Sequence, residues 1–244
     1  MSEHPLQGTS AQIIIMVAFT TLVAALTGIV GTLAMPTGLE PESSVNVTER
    51  GMYDFVLGAH NDHRRRASIN YDQNYQTGGQ VSYSPSNTGF SVNWNTQDDF
   101  VVGVGWNVGS SAPINFGGSF SVSSGTGLLS VYGWSTNPLV EYYIMEDNHN
   151  YPAQGTVKGT VTSDGATYTI WENTRVNEPS IQGTATFNQY ISVRNSPRTS
   201  GTVTVQNHFN AWASLGLHLG QMNYQVVAVE GWGGSGSASQ SVSN

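Results

Sequence analysis

Tyr132-Gly133-Trp134-Ser135-Thr136-Asn137-Pro138-Leu139-Val140-Glu141-Tyr142-Tyr143-Ile144-Met145-Glu146 sets an acid inside a run of aromatic and β-branched residues. Such a run reads as a central strand, and side chains on a strand alternate between its two faces. Glu141, Tyr143 and Met145 therefore share one face, and Val140, Tyr142 and Ile144 share the other. An acid beside tyrosines on a sheet face either points to solvent or has a task, because unpaired buried charge is rare. A second acid in similar company favours the task.

Outward from this stretch the chain is punctuated at regular intervals. Gly78-Gly79, Pro85-Ser86-Asn87, Gln97-Asp98-Asp99, Gly117-Gly118, Gly125-Thr126-Gly127, Asn137-Pro138 and Ser163-Asp164-Gly165 separate runs such as Phe90–Asn95, Phe100–Trp106, Thr156–Thr162 and Thr167–Glu172. Turn residues at this spacing predict an antiparallel sandwich or jelly roll. Gln206–Leu215 breaks the rhythm: Phe209, Trp212 and Ala213 fall at helical spacing and Gly216 stops the run, so one short amphipathic helix is expected against the outside of a sheet. Gly233–Asn244 reads as a Gly- and Ser-rich tail around one last short strand.

Composition agrees with an all-β chain. Of 244 residues only 10% are charged, glycine numbers 28, and there is no cysteine, which removes disulfides and thiolate chemistry. The net charge of -8 argues against a nucleic-acid partner, which needs a basic stripe, and a neutral ligand fits better. His149, His208 and His218 have no ligand-like spacing, so no metal is expected.

The first 66 residues read differently from the rest. Ile13–Ala34 is an apolar run ending in small residues, Thr32 and Ala34, at the spacing of a signal-peptidase site, so residues 1–34 are expected to be a signal peptide. The run has no basic residue before it and is long enough to span a bilayer, which keeps a signal anchor as the alternative. Residues 35–66 end in Arg64-Arg65-Arg66 and read as a propeptide, the alternative being a solvated charge run. Residues 67–244 are then expected to form one domain.

The second acid lies in Tyr224-Gln225-Val226-Val227-Ala228-Val229-Glu230-Gly231-Trp232, where Tyr224, Val226, Ala228 and Glu230 share a face. Two glutamates on apolar strands suit glycoside hydrolysis, in which one carboxylate attacks or stabilises the anomeric carbon and the other, its pKa raised, protonates the leaving oxygen. Sugar rings stack their C–H faces on aromatic rings, and Tyr75, Tyr132, Trp134, Tyr143 and Tyr224 are candidates to line a groove. A non-catalytic carbohydrate-binding sandwich is the competing reading; it needs the aromatics but not the two acids.

Several segments together resemble the fungal endo-1,4-β-xylanases of glycoside hydrolase family 11. They are Tyr132-Gly133-Trp134, Asn137–Ile144, Glu178-Pro179-Ser180-Ile181, Phe187-Asn188-Gln189-Tyr190, Asn207–Trp212 and Val229-Glu230-Gly231, and the similarity runs from about Tyr71 to Ser243. The resemblance implies a β-jelly roll of two curved antiparallel sheets forming a cleft, with one short α-helix, acting as a monomer on xylan and xylo-oligosaccharides outside the cell, without cofactor. It implies Glu141 as nucleophile and Glu230 as acid/base of a retaining double displacement, for which carboxyl groups roughly 5–5.5 Å apart are expected. It further implies substrate-binding roles for Tyr132, Tyr143, Arg175 and Gln189. Val176–Thr186, with Pro179, Ser180 and Ile181 at its tip, would be a thumb hairpin closing over xylan. Tyr75 stands where the family usually has tryptophan. Asp99 stands where neutral members have asparagine and acidophilic ones aspartate. Two neighbouring carboxyls share a proton and titrate as a pair, so the active singly protonated form is populated at lower pH, and an acidic optimum is expected.

Overall fold

The computed structural model describes residues 67–244. The expected signal peptide, 1–34, and propeptide, 35–66, lie outside the described residues. Eleven strands and one helix follow in chain order: β1 (Tyr71–Gln76), β2 (Gln80–Ser86), β3 (Gly89–Thr96), β4 (Phe100–Asn107), β5 (Ile114–Thr136), β6 (Val140–His149), β7 (Thr156–Ser163), β8 (Ala166–Ser180), β9 (Gly183–Arg194), β10 (Ser200–Val203), α1 (Val205–Ser214) and β11 (Gln221–Ser243). The all-β jelly-roll class expected from the sequence is what forms.

β5 and β11 are each 23 residues long and pair with one another along almost their whole length. Their pairing forms the middle of both layers. Near Ser235–Ser243 of β11 it is flanked by β3 and β2 on one side and, through β5, by β10 on the other. Near Tyr224–Gly231 it continues into β4 and β1 on one side and into β6, β9, β8 and β7 on the other. All neighbours run antiparallel except β6 and β9, which are parallel. Gly125-Thr126-Gly127 and Gly233 therefore do not end strands as the sequence pattern suggested. They lie inside β5 and β11, where register shifts between Trp232 and Gly236 turn the paired strands from one layer into the other. Gly125 and Gly233 have φ of 78° and 67°, and a Cβ on Gly125 would sit 2.5 Å from the carbonyl carbon of Gly233. Only glycine satisfies both demands at Gly125. For the same reason the expected loose C-terminal tail is instead the second half of a central strand.

The core lies between the layers. Phe90, Val92 and Trp94 of β3 meet Val102, Val104, Leu129, Val131, Val227 and Val229 of the other layer. Val140, Tyr142 and Ile144 belong to this core, while Tyr143 and Met145 face the opposite, concave side, as the period-two reading required.

The helix starts and stops one residue earlier than expected, and its buried face is Val205, His208 and Trp212; Ala213 is exposed. Asp164, in the β7–β8 turn, accepts hydrogen bonds from the Thr204 backbone N–H at 2.8 Å and hydroxyl at 2.6 Å, fixing the helix entry. Trp212 is fully buried and donates its indole N–H to Ser192 Oγ at 3.0 Å. Trp212→Ala removes that bond and opens a cavity, and should lower unfolding free energy by about 3–5 kcal/mol in denaturant titration.

His208 is also fully buried, packed edge-on against Tyr168, and neither ring nitrogen has a partner among the described residues. Burial lowers its pKa to about 4, with Asp164 opposing and Arg194 and Arg198 reinforcing. The folded state thus resists a proton that the unfolded chain accepts from pH ~6.5 downward. His208 costs stability progressively as pH falls from about 6.5 to about 4, on the order of 3 kcal/mol in total. His208→Leu should lose less melting temperature over that window than the parent does; parallel melting curves for the two chains would count against this assignment.

Candidate active site

The concave side of the larger layer holds a cleft of about 740 Å³. Every site residue expected from the sequence lines it: Tyr75, Asp99, Tyr132, Trp134, Glu141, Tyr143, Arg175, Pro179, Ser180, Ile181, Gln189, Tyr224 and Glu230. They come from six strands and two turns far apart in the chain.

Glu141 stands on β6 with Trp134 beside it on β5 and Gln189 beside it on β9. It is 8% exposed, and three side chains donate to it: Tyr132 Oη at 2.8 Å and Tyr143 Oη at 3.1 Å to Oε1, and Gln189 Nε2 at 2.7 Å to Oε2. Burial pushes its pKa up, while these donors and the Arg175 guanidinium pull it down. Burial outweighs them, so the pKa stands above the ordinary carboxylate value, but the donors favour the anion and limit the rise. Tyr132 in turn accepts from Trp134 Nε1 at 2.7 Å, which orients its hydroxyl hydrogen toward Glu141.

Glu230 stands on β11, opposite Val101 of β4 and Leu128 of β5. Its Oε2 is enclosed and has no partner among the described residues. Burial raises its pKa well above the ordinary value, and the charges of Asp99 and Glu141 raise it further. Asp99 precedes β4 and lies on the same face as Val101, diagonal to Glu230 across the β4–β11 pair. Its Oδ1 is likewise enclosed without a partner, and burial raises its pKa against the pull of Arg175. Two enclosed, unpartnered carboxyl oxygens on neighbouring acids are best satisfied by one proton between them.

Aromatic rings build the walls. Tyr224 stacks on Tyr71 with centroids 4.6 Å apart, Tyr132 tilts against Tyr143 at 4.9 Å, and Trp134 packs on Phe187 at 4.9 Å. Tyr75 is 39% exposed at one end of the cleft. At the rim, β8 and β9 form a hairpin closed by Ile181 and Gln182, with Ser180 Oγ donating to the Gly183 carbonyl at 2.6 Å and accepting from the Gln182 N–H at 3.0 Å. Arg175 and Glu178 are paired at 3.3 Å across a register shift at the base of this tip.

Tyr71, Tyr151, Asn173, Phe187 and Trp232 also line the cleft and were not singled out from the sequence. Tyr71 was findable, since it shares the period-two face of β1 with Tyr75. Asn173 was not, because its place depends on the pairing of β8 with β9. Among the described residues there is no group of three or more His, Asp, Glu or Cys able to hold a metal ion, and no helix long and apolar enough to cross a membrane.

The chain is 96% identical over 229 residues to endo-1,4-beta-xylanase 1 of Hypocrea jecorina, spanning 94% of this chain and all of that one. It is 60% identical over 229 residues to ethylene-inducing xylanase 2 of Botryotinia fuckeliana, spanning 93% of this chain and all of that one. A solved endo-1,4-β-xylanase structure from Trichoderma reesei superposes with a TM-score of 0.73 at 98% identity, covering 73% of this chain and all of the other. The model of glycosyl hydrolases family 11 matches residues 67–241, the jelly roll with its cleft and both buried glutamates, and the chain belongs to that family.

Proposed function

We propose that residues 67–244 are an endo-1,4-β-xylanase that cleaves internal xylosidic bonds of xylan with retention of configuration. The observation that carries this reading is the unequal treatment of two glutamates on one concave face. Glu141 receives three hydrogen bonds that favour its anion, whereas burial and neighbouring charge keep the proton on Glu230. Pairs of carboxyls whose surroundings push their pKa values apart divide into acid and base. Close relatives named as endo-1,4-β-xylanases support the choice of substrate.

In the first step a Glu141 oxygen bonds to the anomeric carbon as the glycosidic C–O bond breaks, and Glu230 gives its proton to the departing oxygen. In the second, water attacks the same carbon, Glu230 takes a proton from it, and the bond to Glu141 breaks, restoring both groups. Tyr143 lies against both acids and stabilises the charge as it passes between them. Tyr75, Trp134 and Tyr224 supply ring faces for xylose units along the cleft, and the Pro179-Ser180-Ile181 tip covers the chain from above. The protein is secreted and works as a monomer, after loss of a signal peptide at 1–34 and of a propeptide ending at Arg66; sequencing the N-terminus of the extracellular protein tests the processing.

Glu141→Gln should cut xylan hydrolysis by about three orders of magnitude while leaving xylo-oligosaccharide binding intact in calorimetry. Unchanged hydrolysis in that variant would favour a carbohydrate-binding role for the cleft.

The Asp99–Glu230 pair sets an acidic optimum. One proton shared between two oxygens stabilises the monoanion and so opposes the rise that burial gives Asp99, which extends the singly protonated form to lower pH. With an amide at 99 the profile is set by Glu141 and Glu230 alone, both pushed up by burial. Asp99→Asn should therefore move the optimum upward by about one unit or more in a kcat/KM profile, and an unmoved optimum would sink this account.

A further inference from the structure

Glu141, Gln189 and Asn173 stand side by side on three adjacent strands, Glu141 opposite Gln189 across β6–β9 and Gln189 opposite Asn173 across β9–β8. All three open onto the cleft. Asn173 Nδ2 donates to Gln189 Oε1 at 2.7 Å, and Gln189 Nε2 donates to Glu141 Oε2 at 2.7 Å.

The chemistry of the row fixes which way each amide points. An ionised carboxylate only accepts, so Gln189 must offer it the NH2 end. The carbonyl end of Gln189 then faces β8 and needs a donor there. Asn173 is that donor, and only with its own NH2 turned toward Gln189. The direction of donation runs from Asn173 through Gln189 to Glu141 without a choice at any link.

We propose that Asn173 is a positioning residue for the reaction: by holding the carbonyl of Gln189 it keeps the Gln189 NH2 on Glu141 and so keeps the nucleophile ionised and oriented. This rests on Glu141 being the nucleophile, as argued above. The other groups facing Glu141 are Tyr132 on β5, Tyr143 on β6, Arg175 on β8, Tyr224 and Glu230 on β11, and Tyr151 in the β6–β7 connection. The row adds to these a donor whose direction, like that of Tyr132 held by Trp134, is set by a neighbour with no hydrogen bond to Glu141.

An isosteric change reverses the row. In Asn173→Asp the new carboxylate accepts only, draws the Gln189 NH2 to itself, and turns the Gln189 carbonyl toward Glu141. Loss of a donor and gain of a facing acceptor both raise the pH at which Glu141 ionises. In Asn173→Ala the Gln189 amide loses its anchor but meets no opposing group. Relative to the parent, kcat/KM on a soluble xylo-oligosaccharide should fall roughly tenfold for Asn173→Ala and further for Asn173→Asp, with the loss in kcat rather than KM. The acid limb of the profile should move upward in both, by about half a unit and by about one unit or more respectively. A merely structural role predicts a lowered melting temperature with an unmoved limb.

The limb staying in place in both folded variants overturns the proposal. Should neither variant fold, the side-chain amide resonances of Gln189 and Asn173 in the unaltered protein serve instead. Both must shift with pH at one common midpoint, that of Glu141, and a silent Asn173 overturns the proposal equally. Glu141→Gln run alongside separates the two ideas: retained hydrolysis there defeats the nucleophile assignment, whereas abolished hydrolysis with an unmoved limb in the Asn173 variants defeats the positioning role alone.

Discussion

The molecule depends on the pairing of β5 with β11. Each strand is twice to four times the usual length and serves both layers, so the same ladder of backbone hydrogen bonds is the centre of the outer layer and the floor of the cleft. The bend near Gly125 and Gly233 carries the pair from one layer to the other without a loop. Side-chain alternation then sorts residues automatically. Val227 and Val229 go to the core between the layers, and Val226, Ala228 and Glu230 go to the cleft. Glu230, the proposed acid, is therefore placed by the element that also holds the core together.

Placing charge on such an element is expensive, and the site shows how the expense is met. Glu141 is compensated by three neutral donors and one guanidinium, none of which forms an ion pair with it at contact distance. Neutral donors favour the anion without setting a fixed opposite charge against the substrate. Glu230 is compensated less: Tyr143 and Arg175 favour its anion, but its Oε2 has no partner among the described residues, and burial with the charges of Asp99 and Glu141 favours a held proton, as the proposed acid role needs. Elsewhere a buried carboxylate is handled differently: Glu146, on the same strand, is paired with Arg198 and accepts from Tyr168 at 2.6 Å. One strand thus carries the proposed nucleophile, held by neutral donors, and a structural acid held by an ion pair.

Much of this was legible in the sequence because it is local. The faces of β6 and β11 follow from period two, and the turn at Asn137-Pro138 and the helix at Phe209–Trp212 follow from residue type and spacing. Glu141 and Glu230 stood out as acids in apolar company, and the family resemblance implied the common cleft that both line. What was not legible is lateral. The parallel pairing of β6 with β9 decides that Gln189 meets Glu141, and no local pattern announces a partner 48 residues away. Asn173 is more distant still in this sense, since its position needs two pairings at once. The glycines at 125 and 233 misled because a bend inside a strand and a turn between strands call for the same residue.

The order in which the chain is made gives the long ladder a temporal meaning. β11 is the last of the described strands in chain order, yet it lies between β4 and β5 in the larger layer and between β3 and β5 in the smaller one. Neither layer can close until β11 has been synthesised and has threaded between partners made roughly 85 to 150 residues earlier. Pairings of such long range form slowly, since the loop must be closed before any contact rewards it. Glu230 arrives on that same strand, so a chain without β11 lacks both the centre of its sheet and the proposed proton donor, and under that proposal catalytic competence coincides with closure of the fold.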